Sequence, residues 1–385
     1  MAQQLTMHKL LAHMRAVEAS DLHLKVGMPP IYRVGGDLRM PQQVGPLSEQ
    51  ETERLIHEIL PEHIKERLKT TGDADFSTFQ EVDDPNHAPD DEHLPAKRQE
   101  RFRCNIFRAG GGLHAAIRRV KPEIPTFESL NLPDVYRRLA DETNEGLVLV
   151  VGVTGCGKST TLACMLERVN ETRSENIITV EDPVEYHIHP KRSVVSQREI
   201  GIDVPDYKEA LRYVVRQDPD VIFIGELRDH DTVLAAIQAA ETGHLVFGSL
   251  HTADTMQTFS RIVEFFPQHE HGFVRSALSN SLKAVCAQRL LPGVEGGMVP
   301  ATEVLISNAS VREKIREGYD TDIPGIVNAS IPEGMRSFTH SLAELVEQDR
   351  VTTTVALDYA PNREALKSRL KGVQVKESML VNRLR

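Results

Sequence analysis

Tryptophan is absent from the chain, and only four of its 385 residues are cysteine. Cys104, Cys156, Cys164 and Cys286 include no C-x-x-C pair, so their spacing suggests neither a zinc knuckle nor a disulfide framework. No apolar run nears the ~20 residues needed to cross a bilayer. The first twenty residues, MAQQLTMHKLLAHMRAVEAS, break their helical apolar spacing at His8, Lys9, His13 and Arg15. A signal peptide would carry a continuous apolar core there. A cytoplasmic protein is expected. Positive charge is also in deficit: 45 Lys and Arg stand against 56 Asp and Glu, a formal net charge of −11. Such a surface repels phosphate backbones. Together with the lack of a Lys/Arg-rich aromatic stripe, this argues against a nucleic-acid partner. The 40% apolar and 26% charged shares are ordinary for a globular chain. The length suggests two or three domains.

The pattern changes along the chain. Residues 1–120 read as an α+β domain. A helix near 5–18 precedes DLHLKV (21–26), where Leu22, Leu24 and Val26 alternate with polar residues. MPPIYRVGGDLRM reads as two strands joined by a Gly35-Gly36 turn, and helices are expected around 48–70. Residues 79–100 are Pro-rich, charged and poor in apolar side chains, the signature of a mobile acidic surface loop. RFRCNIFRA and GLHAAIRRV follow as strands, and 121–133, with three prolines, reads as a linker. Residues 134–385 alternate short apolar runs with helical stretches. The runs are LVLVVG (147–152), NIITVED (176–182), DVIFIGE (220–226) and HLVFGSL (244–250). Near-continuous apolar strands separated by helices imply a parallel sheet buried on both faces, an α/β fold. Beyond about residue 268 the chain reads as mostly helical.

Four stretches carry chemistry. GVTGCGKST (Gly152–Thr160) matches G-x-x-x-x-G-K-[ST] between a strand and a helix, the context that pattern needs. Gly152, Thr154, Gly155, Cys156, Gly157, Lys158, Ser159 and Thr160 are thereby candidate ATP-binding residues. Backbone N–H groups and the helix N-terminus face the phosphates, Lys158 reaches the terminal ones, and Ser159 ligates Mg²⁺. Cys156 is read as a small residue in a tight turn. In VEDPVEY (180–186), Glu181, Asp182 and Glu185 close a core strand, where a carboxylate can orient water and accept its proton. The plain alternative is a solvated acidic turn. In DVIFIGELRD (220–229) an apolar strand ends in Glu226, a metal-side acidic position, with Gly225 where hydrolases usually carry Asp. Mg²⁺ would then rest on Ser159, phosphate oxygens and water, with Glu226 acting nearby or through water. In GHLVFGSLHTADT (243–255), His251 and Thr252 close another core strand, and such a histidine can sense a γ-phosphate, although a lone histidine is more often structural.

Together and in this order, these stretches resemble the secretion ATPase superfamily of type II secretion and type IV pili. Within it, the chain looks most similar to the PilT-like twitching-motility ATPases. ASDLHLKVGMPPIYRVGGDLR (19–39), RFRCNIF (101–107), RIVEFFP (261–267) and AQRLLP (287–292) extend the likeness over nearly the whole sequence. The resemblance implies a PAS-like N-terminal domain followed by a RecA-like ATPase domain with a helical C-terminal part. It makes Glu185 the catalytic base, Glu226 the acidic strand end and His251 the sensing histidine. It implies N-terminal arginines that approach the nucleotide, some from a neighbouring subunit. Arg101, Arg103 and Arg118 stand in matching stretches, each equally readable as a surface arginine. It further implies a homohexamer whose nucleotide-driven domain motion retracts pili through an inner-membrane platform protein, the only link to the membrane.

Two features refine this expectation. The tetracysteine typical of assembly-type relatives is absent, which favours retraction over pilus assembly or secretion. The retraction-linked motif AIRNLIREG stands here as SVREKIREG (310–318), with Glu313 and Lys314 in place of Asn and Leu. An accessory pilus paralogue and a secretion ATPase are therefore kept as alternatives. A non-hydrolysing interaction subunit would have lost a catalytic group, whereas Lys158, Glu185, Glu226 and His251 are all present.

Overall fold

The computed structural model describes residues 5–41, 44–83, 97–120 and 123–372. The chain divides into two compact units, Met1–Glu123 and Ile124–Arg385.

The first unit contains α1 (Met7–Ala16), β1 (Asp21–Leu24), β2 (Ile31–Val34), β3 (Asp37–Arg39), α2 (Glu49–His57), α3 (Glu62–Thr71), β4 (Asp73–Asp83), β5 (Lys97–Ala109) and β6 (Gly112–Arg119). Its strands form one antiparallel sheet in the order β3-β2-β1-β6-β5-β4. Period-two alternation sends Leu22, Leu24, Tyr32, Phe76, Phe102, Cys104, Ile106 and Ile117 to one face. There they meet Met7, Leu10, Leu11, Met14, Leu55 and Ile56 of α1 and α2. The other face carries a row read from the pairing: Arg33 opposite Asp21, Asp21 opposite Arg118, Arg118 opposite Arg103, and Arg103 opposite Ser77. A Ser48–Glu51 capping box starts α2.

The loop expected over 79–100 is corrected at both ends. β4 and β5 pair continuously out to Asp83 opposite Lys97. Gln80 and Val82 are buried while Phe79 and Glu81 are exposed, a strand alternation hidden by polar composition. Glu100 is buried and accepts a hydrogen bond from Arg119 Nε at 3.0 Å. Only 84–96 of the expected loop remain, and these lie outside the described residues.

The second unit contains α4 (Asp134–Glu142), β7 (Gly146–Val151), α5 (Lys158–Thr172), β8 (Asn176–Glu181), β9 (Val194–Glu199), α6 (Tyr207–Val214), β10 (Val221–Ile224), α7 (His230–Glu241), β11 (Leu245–Leu250), α8 (Thr255–Glu264), α9 (His271–Ser281), β12 (Leu282–Pro292), β13 (Met298–Ile306), α10 (Ala309–Glu317), α11 (Ile323–Ala329), α12 (Phe338–Glu347), α13 (Thr353–Tyr359) and α14 (Arg363–Leu370). The sheet order is β13-β12-β7-β11-β10-β8-β9, with only β12–β13 antiparallel. Every residue of β7, β10 and β11 is buried, as strands covered on both faces require. The expectation of a mostly helical region past 268 needs correction, because β12 and β13 form a hairpin that adds two strands to the sheet beside β7. The C-terminal ends of β7, β8, β10 and β11 release the four chemistry-bearing stretches on one edge, the usual ligand side of such a sheet. Among the described residues, no helix is long and apolar enough to cross a membrane.

Candidate nucleotide site

The loop after β7 is built around a close approach. A Cβ on Gly152 would lie 2.3 Å from Cys156 Sγ and 2.7 Å from the Gln288 carbonyl oxygen, so only glycine fits. This also places Cys156 as a buried filler of the turn. Thr154 and Gly155 are exposed along the loop, and Gly157 (φ 91°) is the N-cap of α5. No side chain caps that helix. Its first N–H groups therefore point at the loop, where an anion satisfies them best.

Lys158 is only 8% exposed. Its ammonium donates to the carbonyls of Gly152 (3.0 Å) and Val153 (3.3 Å) and lies 3.5 Å from His251 Nδ1. Burial lowers the lysine's pKa, opposed by Cys156, Glu226 and Glu185. The other ring nitrogen, His251 Nε2, faces Glu226 Oε1 at 3.4 Å. Lys158, His251 and Glu226 thus form a chain across the ends of β7, β11 and β10. His251 and Glu226 keep 44% and 42% of their side chains exposed, so their far sides are open to a ligand.

A second contact crosses from α5 to the stretch after β8. Ser159 Oγ donates to Glu185 Oε1 at 2.9 Å. Beside it, the Thr160 hydroxyl lies 2.9 Å from the Tyr186 hydroxyl. The other two carboxylates of that stretch are turned elsewhere. Glu181 is buried, accepting from Thr179 Oγ1 (2.6 Å) and Gln197 Nε2 (3.1 Å), while Asp182 faces Arg228 at 3.6 Å. Gly225 also has a structural reason. A Cβ there would meet the Tyr207 hydroxyl at 3.0 Å and Glu181 Cα at 3.3 Å, so an aspartate would crowd both.

The three N-terminal arginines belong to the other unit. Arg101 is buried, donates to Ser77 Oγ at 2.8 and 3.1 Å, and lies over Phe79 at 5.6 Å. Arg118 donates to Asp21 at 2.9 Å with most of its side chain exposed, and Arg103 is exposed on β5. Sequence reasoning passed over Gln288. It is buried in β12 and exchanges hydrogen bonds with Thr161 of α5 (2.9 and 3.2 Å), fixing the helix that carries Lys158 and Ser159. Its signal was a polar residue directly after the apolar run AVCA (284–287).

An uncapped helix start, a buried ammonium, a hydroxyl on a carboxylate and a histidine–carboxylate pair make a donor set suited to a polyphosphate with a divalent cation. Residues 54–312 match the family of type II/IV secretion system proteins. The chain belongs to that family. It is 39% identical over 352 residues to the type IV pilus retractation ATPase PilT of Pseudomonas aeruginosa, covering 91% of this chain and 97% of the relative. The type IV pilus ATPase PilU of the same organism is 35% identical, covering 94% and 91%. A crystal structure of the pilus retraction motor PilT with bound ADP superimposes with a TM-score of 0.84 at 37% identity, over 94% of this chain and 99% of that one. In this secretion-family chain, five of the residues expected at the nucleotide (Lys158, Ser159, Glu185, Glu226 and His251) converge on one edge of the second unit's sheet, whereas Arg101, Arg103 and Arg118 lie in the first unit.

Proposed function

We propose that this chain is an ATP-hydrolysing motor that powers pilus retraction. The observation that carries the chemistry is the contact of Ser159 with Glu185, beside the chain from Lys158 through His251 to Glu226. Bound MgATP supplies the phosphoanhydride bond and the charge that the site must stabilise. Lys158 would hold the terminal phosphates, and Ser159, with Glu226 directly or through water, would hold the metal. Glu185 orients the attacking water and takes its proton. His251, touching both Lys158 and Glu226, responds to the γ-phosphate. Arg101, Arg103 and Arg118 are candidates for contacting the nucleotide from the PAS-like unit of a neighbouring protomer. Cycled around a homohexamer of RecA-like units, nucleotide-driven domain motion would act on an inner-membrane platform protein from the cytoplasmic face. The likeness to PilT supports the direction of work. A clean deletion in the source organism tests it. Excess surface pili without twitching are expected, and loss of surface pili would overturn retraction in favour of assembly.

A further inference from the structure

We infer that Glu303 is a positioning residue for His251, holding the turn that follows β11 from the β12–β13 hairpin. The inference rests on the reading of His251 as a phosphate-responsive group.

His251 leaves β11 directly after Leu250, which is fixed opposite Val151 of β7. Its other tether is the start of α8, four residues on. Asp254 caps that helix through Gln257 N at 2.8 Å. Glu303 Oε1 adds a second anchor by accepting from both the backbone N–H (3.0 Å) and the hydroxyl (2.7 Å) of Thr255. A carboxylate at a helix N-terminus satisfies an orphan donor and complements the helix dipole. Glu303 Oε2 accepts from Phe338 N, the first residue of α12, at 3.4 Å. One side chain therefore joins the starts of two helices.

Arg289 reinforces the clamp. Pairing of the hairpin sets Ala287 opposite Glu303 and Arg289 opposite Ala301, so Arg289 and Glu303 share a face. Arg289 donates to the Ala253 carbonyl (3.4 Å) in the His251 turn and to the Tyr359 carbonyl (2.8 Å) at the end of α13. Its guanidinium lies 4.3 Å from the Phe338 ring centre. Gln288, on the opposite face, grips α5 through Thr161. The hairpin thus braces the phosphate loop from one side and the histidine turn from the other. A shift of about 1 Å in a reacting group can cost roughly 10²-fold in rate, so the brace has kinetic leverage.

The test is a mutant cycle on the purified full chain, reading phosphate release and affinity for a fluorescent ADP analogue. Glu303→Ala should lower kcat about tenfold or more while leaving ADP affinity within about twofold, because the Lys158 loop is untouched. In a His251→Ala background, Glu303→Ala should cost less than about twofold further. Glu303→Gln keeps an oxygen for Thr255 and should restore most of the turnover. If Glu303→Ala does not fold, Thr255→Ala, which removes one of the two bonds, carries the same cycle. Losses that multiply in full, an unchanged kcat, or no rescue by glutamine would overturn the positioning role alone. Wild-type turnover by His251→Ala would instead overturn the reading of His251, and the inference with it.

Discussion

Replacing Glu185 by glutamine isolates proton acceptance from everything else the residue does. Glu185 Oε1 accepts from Ser159 Oγ at 2.9 Å, and a glutamine amide oxygen can accept the same bond. A hydrogen bond to a carboxylate is worth about 1.5–3 kcal/mol and a neutral one about 0.5–1.5. Glu185 is exposed, so water competes and the difference falls to about 1 kcal/mol or less. That predicts at most a few-fold change in nucleotide affinity. The chemical step should suffer far more, since a positioned general base contributes about 10²–10⁴-fold, or roughly 2.7–5.5 kcal/mol of barrier. Glu185→Gln should therefore retain ATP binding, measured by a fluorescent analogue, and lose at least about 10²-fold in steady-state phosphate release. A bond-conserving change that slows turnover without weakening binding has removed an interaction made only in the transition state. Normal turnover in Glu185→Gln alongside a dead Glu226→Gln would refute the reasoning and move the base to the end of β10.

Lys158→Ala should cut phosphate release by about 10²-fold or more, because the charge opposite the terminal phosphates is lost. Size-exclusion chromatography should show the assembly unchanged, since among the described residues the ammonium bonds only within its own loop and to His251. Gly225→Asp, which restores the residue usual in nucleotide hydrolases, should destabilise the fold by about 1–3 kcal/mol through its clash with Tyr207 and Glu181. A Tm within a degree of wild type would contradict that packing argument. On α10, Val311 and Ile315 are fully buried, whereas Arg312 and Arg316 are exposed and, among the described residues, make only long contacts near 3.4 Å. Arg312→Ala with Arg316→Ala should keep Tm and ATPase within a few-fold of wild type yet abolish twitching. A double mutant that twitches normally would make these arginines a solvated helix face.

The parts of the fold that could be read from sequence are those where burial is uniform. LVLVVG, NIITVED, DVIFIGE and HLVFGSL stand out because strands covered on both faces need no polar side chain. The parts that escaped are mixed in character. β9 lies at a sheet edge, and its VVSQRE is largely exposed or half-buried. β12 follows α9 with no intervening loop, so LKAVCAQRLLP reads as a continuation of the helix. The outer halves of β4 and β5 looked like acidic loop because the buried Glu100 is matched by Arg119, far along the chain and invisible to a local window. At the site, residue types alone showed the strand-end carboxylates only as a set, and it was the family resemblance that singled out Glu185 as the base. Only three-dimensional pairing turns Glu181 toward Thr179 and Gln197 and leaves Glu185 for Ser159.

The bare start of α5 has a thermodynamic consequence. Asp206, Asp229, Asp254 and Asn308 each cap their own helices with a side-chain oxygen, whereas Gly157 offers none. The amides at the start of α5, unlike those of these four helices, are left for a bound anion to complete. Folding and ligand occupancy become linked quantities. At a nucleotide concentration of 100 Kd, the liganded state gains about 2.7 kcal/mol over the empty one. Melting curves should accordingly climb with nucleotide concentration, and a chain whose Tm ignores added nucleotide would contradict the linkage.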